Sequence, residues 1–115
     1  NEHEDEITGE EDLNSAPIVR LVHGVLESAV RQKASDIHIE HSGNYMRVRF
    51  RIDGILVEHM KASPKAYKAV ISRIKIMADL NISEKNIDYD YKYRVEAVVD
   101  VEEKGTDKYR VLSAN

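Results

Sequence analysis

The stretch "YMRVRFRIDGILVEHM", Tyr45 to Met60, constrains the fold more than any other part of the chain. Met46, Val48, Phe50 and Ile52 alternate with Arg47, Arg49 and Arg51, a period of two that gives a strand one apolar and one cationic face. Asp53-Gly54 then interrupts the alternation between Ile52 and Ile55. Such a pair favours a two-residue hairpin, because both central positions of that turn need positive φ. Upstream, Ile37 and Ile39 alternate with Asp36, His38 and Glu40, and "HSGN" supplies turn residues between the two runs. A three-strand antiparallel meander is expected.

Helical periodicity flanks it on both sides. In "LNSAPIVRLVHGVLESAVRQK", Ile18, Leu21, Val22, Val25, Leu26 and Ala29 make one apolar stripe. Ser15 or Asn14 caps it, Pro17 suits the first turn, and Arg31 and Lys33 fall where cations complement the dipole. A second helix begins at Ser63-Pro64, with Tyr67, Val70, Ile71, Ile74, Met77 and Leu80 as its stripe and Lys65, Lys68, Arg73 and Lys75 mostly off it. The last segment reads as two strands around Gly105. The expected fold is α+β, in the order α-β-β-β-α-β-β, with two helices on one face of an antiparallel five-strand sheet.

Charge divides the chain. Its net charge is −4, yet seven of its 21 acids lie in the first twelve residues, which hold no Lys or Arg. Residues 1–13 are expected to be an acidic disordered tail or linker, and 14–115 a single domain. The remainder, with 17 basic residues, is mildly positive. No cysteine occurs, which removes disulfides and thiol chemistry. No run of apolar residues is long enough for a membrane helix, so direct membrane insertion is not expected.

The hairpin turn sets an expected register: Phe50 opposite Val57, Arg49 opposite Glu58 and Arg51 opposite Leu56. Continued alternation puts Arg47 opposite Met60. An even-length turn around Ser42-Gly43 places His38 across from Arg47 and Asp36 across from Arg49. Ile37, Ile39, Val48, Phe50, Ile52 and Val57 then form the core face. The opposite face collects the three arginines with Asp36, His38 and Glu58. Two accounts of that row stand open. It is a set of cross-strand ion pairs, or it is an anion grip, since this register gives Arg47 and Arg51 no carboxylate and guanidinium suits phosphate.

Other chemistry is weakly represented. His38 and His41 straddle a strand end and do not converge as metal ligands do, so no metal is expected. The glycines are followed by Glu, Val, Asn, Ile or Thr, so no phosphate-binding loop is present. Nucleic acid is not an expected partner, because a single-strand platform needs aromatics beside the cations and Phe50 alternates away from them.

The blocks "ASDIHIE", "RVRFRIDG" and "SRIKIMADLNISEK", over residues 16–85, resemble the domain that precedes the motor domain in type II secretion and type IV pilus assembly ATPases. The resemblance implies a PAS-like, non-catalytic domain in a cytoplasmic homo-hexamer, attached to the inner membrane through secretion or pilus platform proteins. It also implies that ATP and magnesium enter only through a motor domain. Arg47, Arg49, Arg51 and Arg73 match positions implied to reach toward the nucleotide phosphates. Residues 86–115 depart from the family's Pro-Gln-Asp-Gly-Arg turn, and Arg110 in "YRVLS" stands in for a later family arginine. The alternative is a stand-alone PAS-like scaffold or ligand-sensing domain, for which polar residues on the core face would be the cue.

Overall fold

The computed structural model describes residues 13–83, 93–98 and 106–114. The acidic start (1–12), Gly105 and half of the departing segment lie outside the described residues, as does the side chain of Leu80.

Helix α1, Ala16–Arg31, begins at Ser15, whose hydroxyl accepts from the Ile18 amide at 3.4 Å. Every member of its predicted stripe is buried. The helix ends before Lys33, which adopts a φ of 59°. The Lys33 amide donates to the Val30 carbonyl at 3.1 Å and the Ala34 amide to Ala29 at 2.9 Å. These two bonds close a helix end, and the left-handed residue between them is usually glycine. Lys33 therefore sits just past the helix and not in its last turn.

Strands β1 (Asp36–His41), β2 (Met46–Ile52) and β3 (Ile55–Ala62) form the expected meander. Asp53 and Gly54 supply the two positive φ angles, 53° and 82°. Ser63 then caps a 3₁₀ turn, Pro64–Ala66, which leads into helix α2, Tyr67–Ser83. Strands β4 (Tyr93–Val98) and β5 (Thr106–Ala114) complete the sheet. Its order is β3-β2-β1-β5-β4, antiparallel at every step. The last strand slots beside the first, so β1 becomes the centre of the sheet.

Both helices cover the same face. Their stripes join Ile37, Ile39, Met46, Val48, Phe50, Tyr93, Val95 and Tyr109 in one core. The α+β class and the element order are as the sequence predicts.

Two expectations need correction. A four-residue loop, Ser42–Tyr45, joins β1 to β2, so Asp36 lies opposite Arg51, His38 opposite Arg49 and Glu40 opposite Arg47. The pairing has slipped by two residues, which preserves the faces and changes every partner. The Ser42 hydroxyl holds this loop, accepting from the amides of Asn44 at 3.3 Å and Tyr45 at 3.1 Å. The second correction concerns β3. A bulge inserts His59, so Val48 faces Met60 and Arg47 faces Lys61. The His59 ring stacks on Phe50 at 4.4 Å. Val57, expected in the core, is 46% exposed, because β3 is an edge strand that the helices do not cover.

Candidate functional site

The sheet face turned away from the helices carries the arginine row. It is a ladder across three strands. Asp36, His38 and Glu40 of β1 stand against Arg51, Arg49 and Arg47 of β2. On the other side, Lys108 of β5 lies next to His38. Alternation alone puts all of these on one side of the sheet.

The arginines are bound to acids of their own domain. Arg47 Nη2 lies 2.9 Å from Glu40 Oε1, and Arg49 Nη2 lies 3.7 Å from the other oxygen of the same carboxylate. Arg51 Nε donates to Asp36 Oδ2 at 3.4 Å, and its Nη1 donates to the Gly54 carbonyl at 3.1 Å. The expected lack of carboxylates for Arg47 and Arg51 is thus overturned. The cause is the slipped β1–β2 register, which delivers Glu40 and Asp36 to them.

Asp36 is the hub. Its carboxylate accepts from the Ser35 hydroxyl at 2.7 Å and meets His38 Nε2 at 2.5 Å. Asp36 is 5% exposed and His38 1%. Burial pushes the Asp36 carboxyl up. The Ser35 hydrogen bond, the His38 contact and the positive charge of Lys108 outweigh that and hold it below the ordinary aspartate value. The i, i+2 spacing of Asp36 and His38 on a strand signalled a shared face. Their burial followed only once β5 had closed over the other side of β1.

The remaining candidates lie elsewhere. Arg73 is on α2, in the helical layer on the far side of the sheet, and donates to the Asn14 side chain at 3.2 Å. Arg110 is on β5 and pairs with Glu96 across from it on β4. The structure brings together Arg47, Arg49 and Arg51, puts Arg110 on the same face but beyond β1, and leaves Arg73 on the other side of the sheet.

Sequence reading missed one core-side cluster. The Tyr67 hydroxyl, on the first residue of α2, donates to the Asp107 carboxylate on β5. Tyr109 is buried nearby, with no hydrogen-bond partner for its hydroxyl among the described residues. Burial and the Asp107 charge raise both phenol pKa values well above their usual range. Tyr93 and Tyr109 both point into the core, so neither adds an aromatic to the charged face. His41 turns the same way and packs against Tyr67, ring centres 4.8 Å apart, away from His38.

Chemically, the charged face offers cations held in fixed positions by carboxylates. Arg47, Arg49, Arg51, Lys61, Lys108 and Arg110 outnumber Asp36, Glu40 and Glu58 across β1, β2, β3 and β5. An anion arriving there meets a positive surface whose three β2 guanidinium groups already have carboxylate partners. No helix among the described residues is long and apolar enough to cross a membrane.

Comparison with known proteins gives this face a context. Residues 11–105 match the family model described as type II/IV secretion system protein. The type II secretion system protein E of Xanthomonas campestris is 51% identical over 87 residues, covering 75% of this chain and 15% of that protein. The type IV pilus assembly ATPase PilB of Myxococcus xanthus is 44% identical over 82 residues, covering 71% of this chain and 14% of its own length. Among solved structures, the ATPase DotB of Legionella pneumophila aligns with a TM-score of 0.46 and 19% identity, over 90% of this chain and 31% of that one. The chain thus spans about 15% of the length of the secretion relative it matches at 51% identity. With most of its residues inside one family model, and half of the aligned positions shared with a secretion protein, the chain belongs to the type II/IV secretion system protein family.

Proposed function

We propose that this chain is a non-catalytic domain of a secretion or pilus-assembly motor ATPase and works beside an ATP-hydrolysing motor domain. The observation that carries the reading is the match of residues 11–105 to that family, with a relative named as a pilus assembly ATPase among those it resembles. ATP and magnesium would be held by the motor domain, and this domain would contribute contacts between subunits of a homo-hexamer. Platform proteins of the inner membrane are the further partners, and the location that follows is cytoplasmic.

The arginine row is the part of the domain that would face nucleotide. Arg47 is the best placed of the three, paired with a half-buried Glu40 at the end of β2 nearest the Ser42–Tyr45 loop. A phosphate reaching it must share or displace Glu40, which turns the ion pair into a competitor for the anion. Arginine supplied to a transferred phosphoryl group stabilises its developing charge. Arg110 shares the face of the row, on β5 and paired with Glu96, whereas Arg73 enters this reading only if a neighbouring subunit supplies the nucleotide to the helical side of the domain.

The test joins this chain to a motor domain and measures ATP hydrolysis. Arg47→Ala, Arg49→Ala and Arg51→Ala should each lower kcat about tenfold or more, with circular dichroism confirming the fold. Glu40→Gln should lower KM by removing the competitor. Unchanged hydrolysis in all three folded arginine variants would remove the arginines from the mechanism and leave the family assignment standing.

A stand-alone ligand-sensing role has one observation on its side, the buried Tyr109 hydroxyl beside the Tyr67–Asp107 pair. Thermal stabilisation of the isolated chain by a small polar metabolite, abolished in Tyr109→Phe, would favour it.

A further inference from the structure

Strand β3 is an edge of the sheet and has no strand on its outer side among the described residues. Its apolar side chains are open: Ile55 is 67% exposed and Val57 46%. Long edges of this kind are usually blunted by charge, proline or a cover, because their unmatched amide and carbonyl groups template pairing with another strand. Here the only charges on the edge are Glu58 and Lys61.

Those two charges determine which strand fits. The two-residue turn makes Ile52 and Ile55 the hydrogen-bonded pair that closes the hairpin. The backbone groups of Ile55 and Val57 therefore point into the sheet, and those of Leu56 and Glu58 point outward. The bulge at His59 then shifts the phase by one residue, so the next outward position is Lys61. Glu58 and Lys61, three residues apart, consequently share both the outward phase and the charged face. Their 3.9 Å ion pair agrees with that geometry. In an unbulged strand they would point to opposite faces.

We propose that the β3 edge is a self-pairing surface, and that two copies of this chain join antiparallel there with Glu58 of each opposite Lys61 of the other. The two registers that set a charged residue opposite its own copy are worse. Pairing Glu58 with its own copy, or Lys61 with its own copy, sets like charges face to face. The Glu58–Lys61 register is its own mirror about a twofold axis, as an isologous dimer requires. It makes two cross-strand ion pairs and brings Val57 of one copy against Ala62 of the other. The contact is a short ladder with little apolar area, so the dimer is weak and salt-sensitive. It uses neither the arginine row nor nucleotide, and its test is independent of the motor reading.

Sedimentation equilibrium of the 115-residue chain at low salt, over a wide concentration range, tests it. The native chain should show a monomer–dimer equilibrium that moves toward monomer at high salt. Glu58→Lys and Lys61→Glu, each with an unchanged thermal midpoint, should weaken association about tenfold. The charge-swapped double variant, Glu58→Lys with Lys61→Glu, should recover it. Three results would overturn the proposal: a chain that stays monomeric at every concentration, a dimer that Glu58→Lys leaves intact, or a double variant that stays as weak as the singles.

Discussion

On one side of β1, Ile37 and Ile39 are buried beneath two helices; on the other, Asp36 and His38 are just as deeply buried within a ladder of charged residues. The two faces reach the same exclusion from water by different physics. Apolar burial is non-directional and tolerates small shifts in partners, as the loose edge at Val57 illustrates. Charged burial depends on specific donors at specific oxygens, and a charge left behind without its partner is costly. The helical face should therefore fail in proportion to the volume removed, and the charged face in proportion to the partners orphaned.

The strongest way to separate them is to damage each at its centre. Phe50→Ala, which opens a cavity in the core and strips the His59 ring of its stacking partner, should cost about 3–5 kcal/mol in urea unfolding. Asp36→Ala removes far less volume and should still cost about 3 kcal/mol, because His38 and Arg51 lose the carboxylate they share. A loss below about 1 kcal/mol would mean that the charged face is held by something other than its hub.

Acid titration sharpens the contrast. The folded Asp36 carboxyl has a pKa below its unfolded value of about 3.9. The unfolded chain thus binds more protons in that range, and the stability Asp36 supplies is fully present above the unfolded value. It drains away as pH falls through the folded one. Stability measured from about pH 5 downward should fall in the native chain, and more gently in Asp36→Asn. Equal slopes would show that the carboxyl is not the group responsible. The smallest expected effect is at the rim of the ladder. Glu40→Gln should change stability by no more than about 1 kcal/mol, since the Glu40–Arg47 pair is only partly shielded from water.

Local pattern was enough for much of this molecule. The α1 stripe from Ile18 to Ala29, the Asp53-Gly54 turn, the meander and the shared face of Arg47, Arg49 and Arg51 all follow from spacings of a few residues. Each rests on a period, 3.6 or 2, or on a backbone dihedral that few residues adopt. The Tyr67–Asp107 bond was not legible in the same way, because its partners are 40 residues apart and meet only after α2 packs on the sheet.

What the sequence determined by itself is which face each residue of β1 and β2 occupies and which segments are helix or strand, because those depend on steric preferences within one turn or one pleat. In β3 the bulge at His59 exchanged the faces of the residues beyond it. Tertiary structure decided who stands opposite whom. A shift of two residues across the Ser42–Tyr45 loop leaves every side chain on its own face, so periodicity is blind to it. The choice fell to the hydrogen bonds of that loop and to β5 arriving beside β1. That same choice gave Arg47 and Arg51 their carboxylates, and with them the difference between a row of open cations and a ladder of engaged ones.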